Sequence, residues 1–295
     1  MLSTDQTKSI SDLFEHISQG LPSPLSKQSD QIRIQNVQGG DINQSYRIDT
    51  TTGQYFLKVN RCDQLPMFVA EKNGLNAIAE SATIATCNAI SWGQHQEQAY
   101  LLLAALNIEH HGDWRVAGQQ LATMHLAPAG TNYGWHQDSY CGTTLQNNSW
   151  ADNWAKFFAE QRIGRQLELL QQHSDRQRQQ CIDAIARQLE THQPPPSLVH
   201  GDLWSGNIGF CNHQPVIFDP ACYIGDSETD LAMTELFGRF PDEFYRGYHD
   251  TKPIPAQYQQ RRDIYQLYHL LNHANLFGGS YLGSASRLLK RIMER

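Results

Sequence analysis

Residues 198–207 read LVHGDLWSGN, and the rest of the chain can be organised around them. An apolar pair, Leu198 and Val199, leads into a turn punctuated by Gly201 and Gly206, with His200, Asp202 and Asn207 set among them. Backbone that bends this tightly around polar side chains usually serves something bound at the bend. Upstream, PPPS at 194–197 cannot continue a helix and resets the chain into an extended run, SLVH at 197–200. Downstream, PVIFDP at 215–220 is a second extended run and carries Asp219 near its end.

Asp202, Asn207 five residues later, and Asp219 after the next strand form a pattern suited to phosphoryl transfer. One carboxylate accepts or orients the proton of an acceptor hydroxyl. An asparagine and a second aspartate supply the hard oxygen ligands that Mg²⁺ demands when it bridges nucleotide phosphates. The turn brings base and one ligand to the same mouth, and the strand delivers the other ligand from the adjacent edge. Asp and Asn are also common in turns, and His200 has a second reading as a core histidine bonded to backbone.

Working outward, the N-terminal part reads as strands. An opening helix over Thr4–Gln19 ends before a Gly-Leu-Pro turn, and IRIQNVQGG, QSYRIDT and QYFLKVN follow as an antiparallel meander. MFVAEKNGLNAIAE places Phe68, Leu75, Ile78 and Ala79 at helical spacing, and IATCNAI and AYLLLAAL predict two more strands. Lys58 interrupts an apolar strand, and Glu71 lies on the following helix. A lysine there reaches the α- and β-phosphates of a nucleotide while the glutamate holds its ammonium. In the QGGDINQSY turn, Gly39 and Gly40 let backbone amides approach an anion.

Beyond Leu106 the pattern turns helical, with DWRVAGQQLATMHLA, WADNWAKFFAEQRIGRQLELL and QRQQCIDAIARQLETH as successive helical stretches. The expected fold is therefore α+β. A small N-terminal lobe of antiparallel sheet with one main helix (residues 1–104) precedes a larger, mostly helical lobe (105–295), joined near residues 104–108. Ligands favour clefts between lobes, so the chemistry is expected there. Asp226 or Ser227 is expected to cap the next helix, and Asp230 to brace the turn.

Composition narrows the classes. A chain of 295 residues can bury a full enzyme core. Its formal charge of −7 argues against a general nucleic-acid binder. Its apolar runs are too short to cross a bilayer. The six cysteines show no zinc or redox spacing, and the N-terminal run lacks a basic head and hydrophobic core, so a cytoplasmic protein with reduced thiols is expected. The oligomeric state is open, with a monomer favoured.

Several stretches together resemble a known family. LVHGDLWSGNIGF, VIFDPACYIGDSETDLAMTELFGRFP and YQLYHLLNHANLFG, with GGDINQSY, YFLKVN, MFVAEKNGL and WADNWAKFFAEQRI, are similar to the fructosamine kinases, or ketosamine-3-kinases. That family shares the fold of aminoglycoside phosphotransferases and, more distantly, of protein kinases. The resemblance implies ATP and Mg²⁺ as cofactors, Asp202 as catalytic base, Asn207 and Asp219 as metal ligands, and Lys58 with Glu71 as the nucleotide anchor. It also implies adenine contacts from the backbone of Leu103, Ala104, Ala105 and Leu106. Trp204 and His273 would line the pocket for a sugar-amine substrate, free or protein-bound, phosphorylated on carbon 3 as a step of deglycation.

Two departures stand out. Asp41 occupies the phosphate-loop position where some family members carry a redox-active cysteine, so that regulation is not carried over. The LLLAAL hinge lacks a glutamate that many relatives have. Other readings stay open beside the family one. A kinase of an amino sugar or a choline-like amino alcohol has the same machinery, because the acceptor pocket is the least readable part of a sequence. A pseudoenzyme would keep the fold and lose one of Lys58, Asp202, Asn207 or Asp219, all of which are present. A metallophosphoesterase would need further histidine motifs, where GNIG stands here.

Overall fold

A computed structural model describes residues 4–25, 32–37 and 42–295. The chain forms two compact units, Met1–Asn76 with Cys87–Ile108, and Ala77–Thr86 with Glu109–Arg295. The first carries α1 (Thr4–Gln19), β1 (Arg33–Val37), β2 (Gln44–Asp49), β3 (Gln54–Arg61) and most of α2 (Leu65–Ser81). After the two-residue strand β4 (Ala85–Thr86), which belongs to the second unit, come β5 (Ala89–His95) and β6 (Gln98–Ala104).

The five strands of the first unit order as β1-β2-β3-β6-β5, every neighbour antiparallel. Ile10, Leu13, Phe14 and Ile17 recur at three- and four-residue spacing along α1 and bury one stripe. They pack with Tyr46, Ile48, Leu57, Val59 and Leu102. Side chains alternate across a strand, so Leu57 and Val59 serve that core while Lys58 between them takes the other face.

The expected single strand over IATCNAI is corrected: Ala85 and Thr86 pair parallel to residues 216–217, while Ala89 and Ile90 open a second strand, Ala89–His95, that pairs with β6. The apolar run is divided between two cores. Ile84 packs in the core of the second unit, while Ile90 packs against that of the first. The edge strand AISWGQH is mostly half-exposed and so lacks a clean apolar signature.

The second unit opens with α3 (Trp114–Leu126), capped by the Asp113 carboxylate on the Val116 amide. A small hairpin follows, β7 (Ser139–Cys141) with β8 (Thr144–Gln146), which the sequence reading did not anticipate. One continuous helical stretch then comprises α4 (Trp154–Phe157), a π-helical segment Phe158–Gly164, and α5 (Arg165–Leu170). Next come α6 (Asp175–Leu189), β9 (Ser197–Val199), β10 (Ile208–Cys211), β11 (Gln214–Ile217) and β12 (Tyr223–Gly225). The chain ends with α7 (Glu228–Thr234), α8 (Asp242–Thr251), α9 (Tyr258–Phe277) and α10 (Ser280–Met293). Leu121, Phe158, Ile163, Leu231, Phe244, Leu267 and Ile292 form part of the core they share.

Strand β9 pairs with β12, and β10 with β11, so residues 200–207 turn between two short pairs of strands. No helix among the described residues is long and apolar enough to cross a membrane.

Candidate active site

The turn after β9 is held by an aspartate thirty residues downstream. The two oxygens of Asp230, on α7, accept from the His200 amide at 2.7 Å and the Gly201 amide at 2.9 Å. His125 Nε2 lies 3.1 Å from the same carboxylate, and its Nδ1 is 2.8 Å from the Tyr248 hydroxyl. Burial opposes the charge on Asp230, yet His125, His200 and the Gly201 amide hold its carboxyl below the ordinary range. This is the brace expected of Asp230. Gly201 has φ +80°, and a Cβ there would lie 2.2 Å from the Ala221 carbonyl oxygen, so only glycine fits.

His200 is fully buried. Its Nε2–H donates to the Phe218 carbonyl at 3.0 Å, and its Nδ1 accepts from the Asp202 amide at 3.3 Å. Burial keeps the ring from charging. It is the backbone-bonded core histidine of the second reading, and it ties the turn that carries Asp202 to the strand that leads to Asp219.

Asp202 follows directly. Its side chain is 20% exposed, and its carboxyl is pushed up to about 7, first by burial and then by the negative charges of Asp219 and Asp230. Asn207 acts the other way: its Nδ2 donates to the Asp202 carbonyl at 2.8 Å and reaches Oδ2 at 3.4 Å. Oδ1 is shielded from water and has no hydrogen-bond partner. A carboxylate poised near neutrality and short of partners is what general-base work requires.

Asn207 and Asp219 are brought into register through one peptide. The Phe218 amide donates to the Asn207 carbonyl at 3.1 Å, and Asp219 follows with φ +58°, its side chain exposed. Because Asn207 turns its amide nitrogen toward Asp202, its side-chain oxygen remains for another partner. That oxygen and the Asp219 carboxylate are hard donors in a field negative enough to raise Asp202, which fits Mg²⁺.

In the first unit Lys58 and Glu71 form an ion pair of 2.7 Å, with side chains 7% and 11% exposed. Glu71 falls on the stripe of α2 that carries Phe68, Leu75 and Ile78, an inward position that a carboxylate tolerates only with a partner. Gly39 and Gly40, with Asp41, lie outside the described residues. Leu103 is buried in β6, and Ala104, Ala105 and Leu106 are half-buried. The amides of Ala104 and Ala105 donate to the Asn88 and Gln54 carbonyls.

Trp204 and His273 do not touch each other directly but share Phe237. Its ring lies 6.4 Å from Trp204, edge-on, and 4.5 Å from His273. Trp204 is 37% exposed, and the Tyr281 ring lies tilted 5.1 Å from His273 and edge-on 6.1 Å from Phe237. Three residues escaped the sequence reading. Phe237 comes from an irregular segment, and Cys141 from the unanticipated hairpin. His269 sits one helical turn before His273, which was a usable signal. Burial and the neighbouring His273 push its ring down to about 3, so it is neutral, and its Nδ1 lies 3.8 Å from Asp202 Oδ1.

Comparisons with known proteins identify the family of the chain. The sequence model of the fructosamine kinase family matches residues 13–295. A probable ketoamine kinase of Vibrio vulnificus is 42% identical over 291 residues, spanning 96% of this chain and all of that protein. A crystal structure described as a fructosamine-3-kinase of Haemophilus somnus superposes with a TM-score of 0.86 at 30% identity, covering 97% of each chain. An aminoglycoside phosphotransferase solved with AMP-PNP and hygromycin B shares the fold, with a TM-score of 0.63 at 14% identity over 90% of this chain and 94% of its own. The kinase-like α+β architecture expected from the motifs is thereby confirmed, as is their resemblance: the chain belongs to the fructosamine kinase family, phosphotransferases that take a sugar hydroxyl as acceptor.

Proposed function

We propose that this enzyme transfers the γ-phosphoryl group of ATP to the carbon-3 hydroxyl of a ketosamine, with Asp202 as the base. The observation that carries the reading is the Asp202 carboxyl itself, raised to about 7, braced from behind through Asp230, and contacted on one oxygen only by Asn207. Asp202 accepts the proton of the acceptor hydroxyl as its oxygen bonds to the γ-phosphorus and the bond to the β-phosphate oxygen breaks. Lys58, fixed by Glu71, meets phosphate oxygens, and the Leu106 amide meets the purine. Asn207 and Asp219 hold Mg²⁺, which supplies charge neutralisation on the phosphates.

Trp204 offers an apolar face to the C–H side of the sugar, with His273 beside Phe237 completing the wall. Phosphate on the carbon next to the ketosamine carbonyl is a better leaving group than hydroxyl. Its loss commits the sugar to shedding its amine, which makes the reaction a deglycation step.

The test is ADP release with Mg-ATP against ribulose-, erythrulose- and fructose-amines, amino sugars and choline. Ketosamine turnover that falls roughly 100-fold or more in Asp202→Asn is the expected result. Turnover confined to amino sugars or choline would refute the acceptor, and near-full activity of the variant would refute the base.

A further inference from the structure

On its solvent-shielded side, the base meets two side chains that phosphoryl transfer does not use. Cys141 comes from β7 and His269 from α9, and both are almost wholly buried. Cys141 Sγ, a ring nitrogen of His269 and an Asp202 carboxylate oxygen all lie within 4.8 Å of one another. Asp202 Oδ1 and His269 Nδ1 are each cut off from water and without a hydrogen-bond partner. They stand 3.8 Å apart, too far for a direct hydrogen bond. Burying two unpaired polar atoms against each other is costly unless something occupies the gap.

We infer that Cys141, Asp202 and His269 form a site for a thiophilic divalent cation, Zn²⁺ by its chemistry, and that filling it takes the base out of use. A sulfur, an imidazole nitrogen and a carboxylate oxygen are a three-ligand set for tetrahedral Zn²⁺, with the fourth position left open. Zn²⁺ at roughly 2.0–2.3 Å from each ligand holds tetrahedral ligand atoms about 3.3–3.6 Å apart, close to the 3.8 Å between His269 Nδ1 and Asp202 Oδ1. Drawing in the sulfur takes at most about 1 Å more. Mg²⁺ is excluded, because it wants six oxygen ligands and has little affinity for thiolate.

Charge balances as well. Binding releases the thiol proton to solvent, and thiolate plus carboxylate then neutralise the dication within a buried cage. Burial and the Asp202 charge push the Cys141 thiol well up, so the cation itself must draw out the thiolate, helped by the donors around it. Asn272 Nδ2 donates to Cys141 Sγ at 3.2 Å and to its carbonyl at 3.1 Å. The fully buried Arg162 guanidinium, fixed on Asn147 and Asn148, adds positive charge nearby. Outer partners of this kind orient ligands and sharpen affinity. The proposed phosphoryl transfer enters only the inhibitory consequence; the site itself stands on geometry.

The first experiment adds one equivalent of Co²⁺ to the chelator-stripped full chain without substrate and follows thiolate-to-cobalt charge-transfer absorption. A band displaced by Zn²⁺, lost in Cys141→Ser and weakened at least tenfold in affinity in His269→Gln, is expected. No band in the wild type, or an undiminished band in either variant, would overturn the site and leave a buried water in the gap. The second experiment titrates Zn²⁺ into turnover assays under excess Mg-ATP. Wild type should lose activity at Zn²⁺ concentrations at least tenfold below those that inhibit Cys141→Ser. Equal sensitivity would overturn the inhibitory role. Because the cobalt measurement needs no acceptor, its failure is distinguishable from failure of the proposed reaction.

Discussion

The start of α7 and the turn at residues 200–207 both hold acidic side chains out of water, and they treat them in opposite ways. In and just before α7 every carboxylate is met. Asp226 accepts from the Tyr265 hydroxyl at 2.6 Å and the Glu228 amide at 3.0 Å, with His192 Nε2 at 2.7 Å. Glu228 takes both arms of Arg261 at 2.7 Å, and Asp230 takes two backbone amides. In the turn, Asp202 has one long contact to Asn207 on one oxygen and none on the other. Asp230 is accordingly held below its ordinary range while Asp202 rises to about 7. Satisfied carboxylates are framework, and the unsatisfied one is available for chemistry.

The comparison can be broken at several points. Its largest kinetic consequence concerns the exposed carboxylate nearest the base. Asp219→Asn keeps a residue that tolerates φ +58° and removes the charge of the proposed metal ligand. Mg²⁺-supported turnover should drop roughly 100-fold or more, with the Mg²⁺ requirement rising; an unchanged Mg²⁺ titration would remove Asp219 from the metal site. On the framework side, Asp230→Asn turns an amide nitrogen toward backbone donors and should cost about 3–5 kcal/mol of stability by denaturant titration. A loss under 1 kcal/mol would show that the brace is dispensable.

The base itself should show the reverse. In the metal-free protein its folded carboxyl takes up a proton near pH 7, against about 4 when unfolded. The stability this confers is complete below about pH 4 and is lost as pH rises to 7. Above pH 7 Asp202→Asn should therefore exceed wild type by up to about 4 kcal/mol, several degrees in Tm, and the two should converge at low pH. A gap independent of pH would contradict the buried charge. The smallest effect belongs to the wall: Trp204→Leu should raise the ketosamine KM about 3–10-fold with little change in kcat. A collapse of kcat would mean that Trp204 positions the base instead.

Much of this was legible in the sequence because particular residues violated their surroundings. Lys58 in an apolar strand and Glu71 on an apolar helical stripe required each other. Asp202, Asn207 and Asp219 were readable because one turn and one strand fix their separation. Cys141 was not, since the three-residue strand that carries it leaves no periodic trace and its partners lie far along the chain. The π-helical segment Phe158–Gly164 was equally silent: its residues continue a helical pattern, and only the hydrogen-bond register changes. The run at residues 103–106 was visible as an apolar stretch, but the backbone amides committed within it follow from pairing that sequence does not encode locally.

The grip of Asp230 on the His200 and Gly201 amides has a dynamic consequence. The turn is fastened to a helix of its own unit, so its shape does not depend on an acceptor arriving. The base then meets each acceptor in a geometry already set, and little reorganisation remains for the moment of transfer. Such a turn works as a rigid jig: acceptors that differ away from the reacting hydroxyl should differ in how well they dwell there, while those that dwell should react at similar speed.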